Sequence, residues 1–146
     1  MSNRIRIKEV EPEAYKVMYA FENYLATTKL TPIQHELIRI RTAQLNGCSY
    51  CINAHTRDAR KLGETEQRLY ALTAWRETPF FTEEEQAILA MTEEITLIHN
   101  GLSDATYEAA ARLFDPQTLA QLIMAIIAIN AWTRIGVSTR MTPPKN

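Results

Sequence analysis

The stretch "TPIQHELIRIRTAQLNGCSYCINAHTRDARKLG", residues 31–63, decides the fold. Thr31 is placed to cap a helix, Pro32 suits the first helical position, and Gln34 completes a capping box. The helix so opened runs to about Leu45, where Asn46-Gly47 stops it. A second helix starts at Cys48 or Ser49 and continues to Leu62, with Gly63 as its stop. So short a connection packs the two helices antiparallel.

The rest of the chain follows the same grammar. Glu11 to about Ala26 carries Tyr15, Met18, Tyr19 and Leu25 at helical intervals. A shorter helix is expected over Thr65 to Ala74, followed by the loop "RETPFF". Thr82 with Glu85 forms another capping box and opens a helix to about His99, ended by Asn100-Gly101. Ser103 caps the next, to Phe114. Asp115-Pro116 caps the last, to about Ile135. Strand alternation is absent. The expected fold class is all-α, a helical bundle of about seven helices, with residues 1–146 as one domain. The last helix is apolar on most faces between Leu119 and Trp132, so burial all round is expected, by the monomer's core or by a partner subunit.

The chain has 146 residues, 46% hydrophobic and 23% charged, with a formal net charge of -1. Its Lys and Arg do not cluster, which argues against nucleic acid as a partner. The N-terminal "MSNRIRIKEVEPEAY" lacks the apolar segment of a signal peptide. The apolar run "LIMAIIAI", residues 122–129, is too short to span a bilayer. No membrane association and a cytoplasmic location are therefore expected. Thiols are usually kept reduced in that compartment, where a CxxC pair is more often catalytic or metal-binding than structural.

Cys48 and Cys51 are the only cysteines. On a helix begun at Cys48, Cys51 lies at about 300° and His55 at about 340°, so the three share one stripe. A Cα separation of about 5 Å lets the sulfurs join without large backbone movement. The positive end of the helix dipole favours a thiolate there. Across the hairpin, a residue about ten positions before the turn faces one about ten positions after it, and Glu36 meets that condition for His55. A carboxylate at that place orients the imidazole, which can then take the thiol proton. The motif reads Glu36, Cys48, Cys51, His55.

These four residues, twelve apart from Glu36 to Cys48 and four from Cys51 to His55, resemble the motif of the alkylhydroperoxidase D-like proteins of the carboxymuconolactone decarboxylase superfamily. "AWRETPFFTEEEQAILAMTEEIT" and "INAWTRIGVSTR" are similar to that family as well. The resemblance implies a thiol-dependent peroxidase. Cys51 is then the cysteine that attacks a small hydroperoxide, Cys48 resolves the sulfenic acid to a disulfide, and Glu36 and His55 relay protons. An external dithiol reductant, a lipoylated or thioredoxin-like protein, restores the thiols. It implies no cofactor and a homo-oligomer: dimer, trimer or hexamer. Tyr50 stands where well-studied relatives carry a histidine between the cysteines. A phenol is a weaker proton carrier near neutral pH but still hydrogen-bonds a thiolate or a peroxide oxygen. Thr133, in "WTR", stands where close relatives carry asparagine, at the expected loss of one side-chain hydrogen bond.

Other readings of the same residues are two small core cysteines, or a zinc site completed by Glu36 or His35. Two rival functions are a lactone decarboxylase, which needs no CxxC, and a non-enzymatic redox sensor. Among the other residues, His35 is expected to be partly exposed and His99 to sit at a helix end. Trp75, Trp132, Phe80 and Phe81 are expected in the core or a subunit contact, and Glu83, Glu84 and Glu85 in solvent. Arg39, Arg41, Arg57 and Arg60 flank the site, some of them pairing with Asp58 or Glu64.

Overall fold

The computed structural model describes residues 4–145. These form eight α-helices and no strand: α1 (Ile7–Val10), α2 (Pro12–Leu25), α3 (Pro32–Asn46), α4 (Ser49–Lys61), α5 (Glu66–Ala71), α6 (Glu83–Thr96), α7 (Asp104–Leu113) and α8 (Pro116–Ser138). The helix beyond the expected number is α1, a single turn before Pro12. Two 3-10 segments, Leu72–Glu77 and Ile98–Asn100, replace the ends of expected α-helices, the first running on into the expected loop. The first contains Ala74 at φ −127°, ψ 33°, which breaks the helical path before Trp75.

Both capping boxes form as expected. Thr31 accepts from the Gln34 amide and Thr82 from the Glu85 amide, each returned by the partner's side chain. Gly47 ends α3 at φ +68°, in the left-handed region. Its amide donates to Gln44 O, and the Cys48 amide donates to Ala43 O. This is a Schellman closure, and a glycine adopts its left-handed residue without steric cost.

Helix α3 is the centre of the molecule, packed against α4, α6 and α8. Its Ile38 joins a cluster with Leu25, Ile88, Met91, Leu122 and Ile126, while Leu37 and Ile40 join a second with Leu72, Trp75 and Leu89. Each fully buried Leu or Ile contributes about 1.5–3 kcal/mol, so two clusters sharing one helix hold the hairpin in register. Because α3 is covered on several sides, it also buries His35, Glu36 and Thr42.

Helix α8 departs from expectation in two ways. It spans Pro116–Ser138, and by length and composition alone it suffices to cross a membrane. The apolar run read from the sequence captured only its middle. In the fold it packs against α2, α3 and α6. Nor is it buried all round: Met124 is 37% and Ile127 43% exposed, with Ala120 on the same stripe. An i, i+3, i+4 face that is apolar throughout and left uncovered is the half of the expectation that the monomer does not satisfy.

Candidate active site

Cys48 is the N-cap residue of α4, and its Sγ accepts a hydrogen bond from the Cys51 amide at 3.3 Å. The two cysteines are joined as a disulfide with a Cα separation of 5.3 Å, closing a loop within the first turn of α4. The pair is nearly sealed: Cys48 is 2% and Cys51 6% exposed. They form a small cluster with Ala43 and Ile52.

His55 follows one turn after Cys51, half-buried. Its Nδ1 lies 2.9 Å from Glu36 Oε2. With Glu36 ionised, Nδ1 carries the proton and donates, which leaves the Nε2 lone pair as the basic position of the ring. The other carboxylate oxygen, Oε1, accepts from Arg39 Nη1 at 2.6 Å. Burial pushes the Glu36 carboxyl up, but its hydrogen bond to His55, the imidazole's charge and the Arg39 guanidinium outweigh burial and hold it below the usual range. Arg39 Nη2 bonds Glu22 Oε2 of α2 at 2.8 Å, and Glu22 Oε1 accepts from Trp132 Nε1 of α8 at 2.9 Å. Four helices thus fix one carboxylate.

Helix α8 also shapes the cysteine end. Gly136 faces the disulfide, and a Cβ placed on it would come within 2.8 Å of Cys48 Sγ and 3.7 Å of Cys51 Sγ. Asn46, the last residue of α3, donates from Nδ2 to Asn130 Oδ1 at 3.0 Å and to Thr133 Oγ1 at 2.9 Å. Thr133 in turn donates to Asn130 O at 3.0 Å. The Thr133 hydroxyl is buried and hydrogen-bonded on both sides.

Of the residues singled out from the sequence, Glu36, Cys48, Cys51 and His55 converge. Tyr50 is 38% exposed, and its electrostatic neighbour is Tyr15 of α2. His35, expected partly exposed, is buried, with Nε2 3.0 Å from Thr28 Oγ1. The single proton of Thr28 goes to Leu25 O, so His35 donates from Nε2. That places His35 away from the cysteines. Glu85 is not merely solvated: it pairs with Arg68 across to α5. Arg57 pairs with Asp58 as expected, but Arg60 pairs with Glu66 and Arg41 with Glu93. Trp75 is buried and donates to Glu93. His99 sits exposed in the 3-10 turn after α6. Sequence reading missed Glu22 and Gly136, both set by contacts distant in the chain, and missed what Arg39 does. The i, i+3 spacing of Glu36 and Arg39 was the one local signal available.

An all-helical fold with a CxxC pair at a helix start, backed by a histidine and a carboxylate, defines a class of small helical dithiol proteins. Residues 12–94 match the Carboxymuconolactone decarboxylase family, and the chain belongs to that family, in its alkylhydroperoxidase D-like branch. It is 42% identical over 139 residues to the uncharacterized protein YdfG of Bacillus subtilis, covering 94% of this chain and 95% of that one. The crystal structure of ATU0492 from Agrobacterium tumefaciens, a protein of unknown function with the suggested identity of antioxidant defence protein AhpD, superposes over 100% of both chains with a TM-score of 0.96 at 33% identity. The debrominase Bmp8 shares the fold, at a TM-score of 0.83 and 15% identity over 93% of this chain and 74% of its own.

Proposed function

We propose that this protein, acting as one domain over residues 1–146, is a thiol-dependent peroxidase that reduces alkyl hydroperoxides. The observation that carries this reading is the Glu36–His55 hydrogen bond one turn from a CxxC pair. In the reduced protein, His55 Nε2 accepts the Cys51 proton. The Cys51 thiolate attacks the hydroperoxide: an S–O bond forms, the O–O bond breaks, and the departing alkoxide takes the proton from His55 as an alcohol. Cys48 then attacks the Cys51 sulfenic acid. The S–S bond forms, the S–O bond breaks, and water leaves. Glu36, held by Arg39, keeps His55 in the tautomer that both steps use. The phenol of Tyr50 serves as a hydrogen-bond donor to the peroxide oxygen.

An external dithiol, on a lipoylated or thioredoxin-like protein, reduces the disulfide again, in the cytoplasm. The uncovered Ala120–Met124–Ile127 stripe supports a homo-oligomer.

The test is peroxide consumption with a dithiol donor, together with intact mass. Wild-type protein is expected to lose two protons per equivalent of hydroperoxide and recover them with the dithiol, and Cys51→Ser to abolish turnover. Full turnover by Cys51→Ser would sink the assignment. Carboxymuconolactone turnover that survives replacement of both cysteines would favour the decarboxylase reading instead.

A further inference from the structure

Cys48, although only 2% exposed, is among the residues that line an open groove of about 330 Å³. Its walls include Gly47, Ser49, Gly136, Arg140 and Met141. The groove lies where the N-terminus of α4 meets the C-termini of α3 and α8. Both C-termini close in the same way. At α3, the left-handed residue is Gly47. At α8, the Arg140 amide donates to Val137 O at 3.2 Å and the Met141 amide to Gly136 O at 2.9 Å, with Arg140 itself at φ +53°. An L-residue with a long side chain costs about 1–2 kcal/mol more than glycine in that region. The fold thus holds an arginine in strain at one wall of the groove, where glycine would close the helix without it. Its guanidinium is exposed and has no ion pair or side-chain hydrogen bond among the described residues.

We propose that this groove admits the thiol of the reductant, that this thiol stands beside a carboxylate, its own or an acidic side chain of the donor protein that carries it, and that it attacks Cys48 with that anion on Arg140. This rests on the dithiol cycle above and names the partner of its reducing half. The cavity is of the size that holds a small-molecule group. The incoming thiolate bonds to Cys48 Sγ, the S–S bond breaks, and its electron pair leaves on Cys51 Sγ, which is protonated by His55 or water. A second thiolate then attacks the incoming sulfur, releasing the reductant as its disulfide and Cys48 as a thiolate. That thiolate is stabilised by the Cys51 amide, which already points at it. Peroxide chemistry at Cys51 and thiol exchange at Cys48 then use different approaches to one pair. The competing role for Arg140 is a cation that merely complements the α8 dipole.

The experiment uses oxidised full-length protein with no peroxide present. Disulfide opening is timed with mercaptosuccinate and with neutral 2-mercaptoethanol, quenched with iodoacetamide, and mapped by peptide mass. The mixed disulfide is expected on Cys48, with the alkyl group on Cys51. The ratio of the two second-order rate constants is expected to fall about fivefold in Arg140→Gly and to persist in Arg140→Lys. Arg140→Gly is expected to melt no lower than wild type, since glycine suits this backbone, so the loss cannot be ascribed to unfolding. An unchanged ratio in Arg140→Gly, or a mixed disulfide on Cys51, overturns the proposal. Because no peroxide enters the assay, either result is separable from failure of the peroxidase reading.

Discussion

Gly136→Ala tests whether α8 is fitted to the oxidised cysteines. Gly136 lies in the last turn of α8, where alanine would normally stabilise a helix by about 0.5–1 kcal/mol. Here the new methyl would stand 2.8 Å from Cys48 Sγ. Ordinary contact lies at about 3.5–4.0 Å, so the sulfur or the helix must yield by roughly 1 Å. In the oxidised protein Cys48 Sγ is tied to Cys51 and cannot swing aside, so the full cost of overpacking applies, about 1–3 kcal/mol. The net loss is up to about 2.5 kcal/mol, or a fall in Tm of up to about 10 °C for a chain of this size. In the reduced protein Cys48 is free to change χ1 and most of the penalty is lost. Thermal melts by circular dichroism, with and without a reductant, therefore separate the two states. The oxidised variant is expected to melt lower than wild type and the reduced variant close to it. Equal shifts in both states, or an oxidised variant more stable than wild type, would show that Gly136 does not seat the disulfide.

Glu36→Gln removes the charge that holds His55 and leaves Arg39 with only Glu22 as partner. Peroxide turnover is expected to fall at least about tenfold, and the alkylation profile of Cys51 to shift to higher pH, with Glu36→Asp recovering part of both. Thr42 is wholly buried in α3, and its hydroxyl has no hydrogen-bond partner among the described residues. Thr42→Val keeps the shape and removes the unsatisfied group, so a stabilisation of about 1 kcal/mol is expected in denaturant melts; a loss of that size would mean the hydroxyl is satisfied in solution. Burial, seconded by the Arg39 charge, holds His35 below its ordinary value of 6.5. The unfolded chain then binds the proton first, so stability falls as pH drops below about 6.5 and towards the folded value. Denaturant midpoints across pH 7 to 5 are expected to decline for wild type and to flatten for His35→Gln.

Much of this molecule was legible from local rules, because capping and stop signals act within a few residues. The Thr31 and Thr82 capping boxes, the Gly47 stop and the Ser103 and Asp115 caps all formed where the sequence put them. Helix ends were less exact where the chain tightens into 3-10 turns, since packing around Trp75 bends the path and no single residue marks it. Glu36 facing His55 was also readable. A short connection packs the helices antiparallel, so a residue about ten positions before the turn faces one about ten positions after it.

Tertiary structure alone decided the rest. No periodicity indicates that Glu22 of α2 reaches Arg39, or that Trp132 of α8 caps that chain of bonds, because the partners are joined only through packing of distant helices. Burial of His35 followed from α3 being covered on several sides, which the composition of α3 by itself does not reveal. The same holds for the place of Gly136 against Cys48 and for the left-handed Arg140 beside it. The sequence by itself determined seven of the eight helices and set Glu36, Cys48, Cys51 and His55 close together on one helical hairpin, since both depend on short-range spacing. The fold decided how those four are held and that Gly136 lies against Cys48, since both depend on where α8 lies across the hairpin.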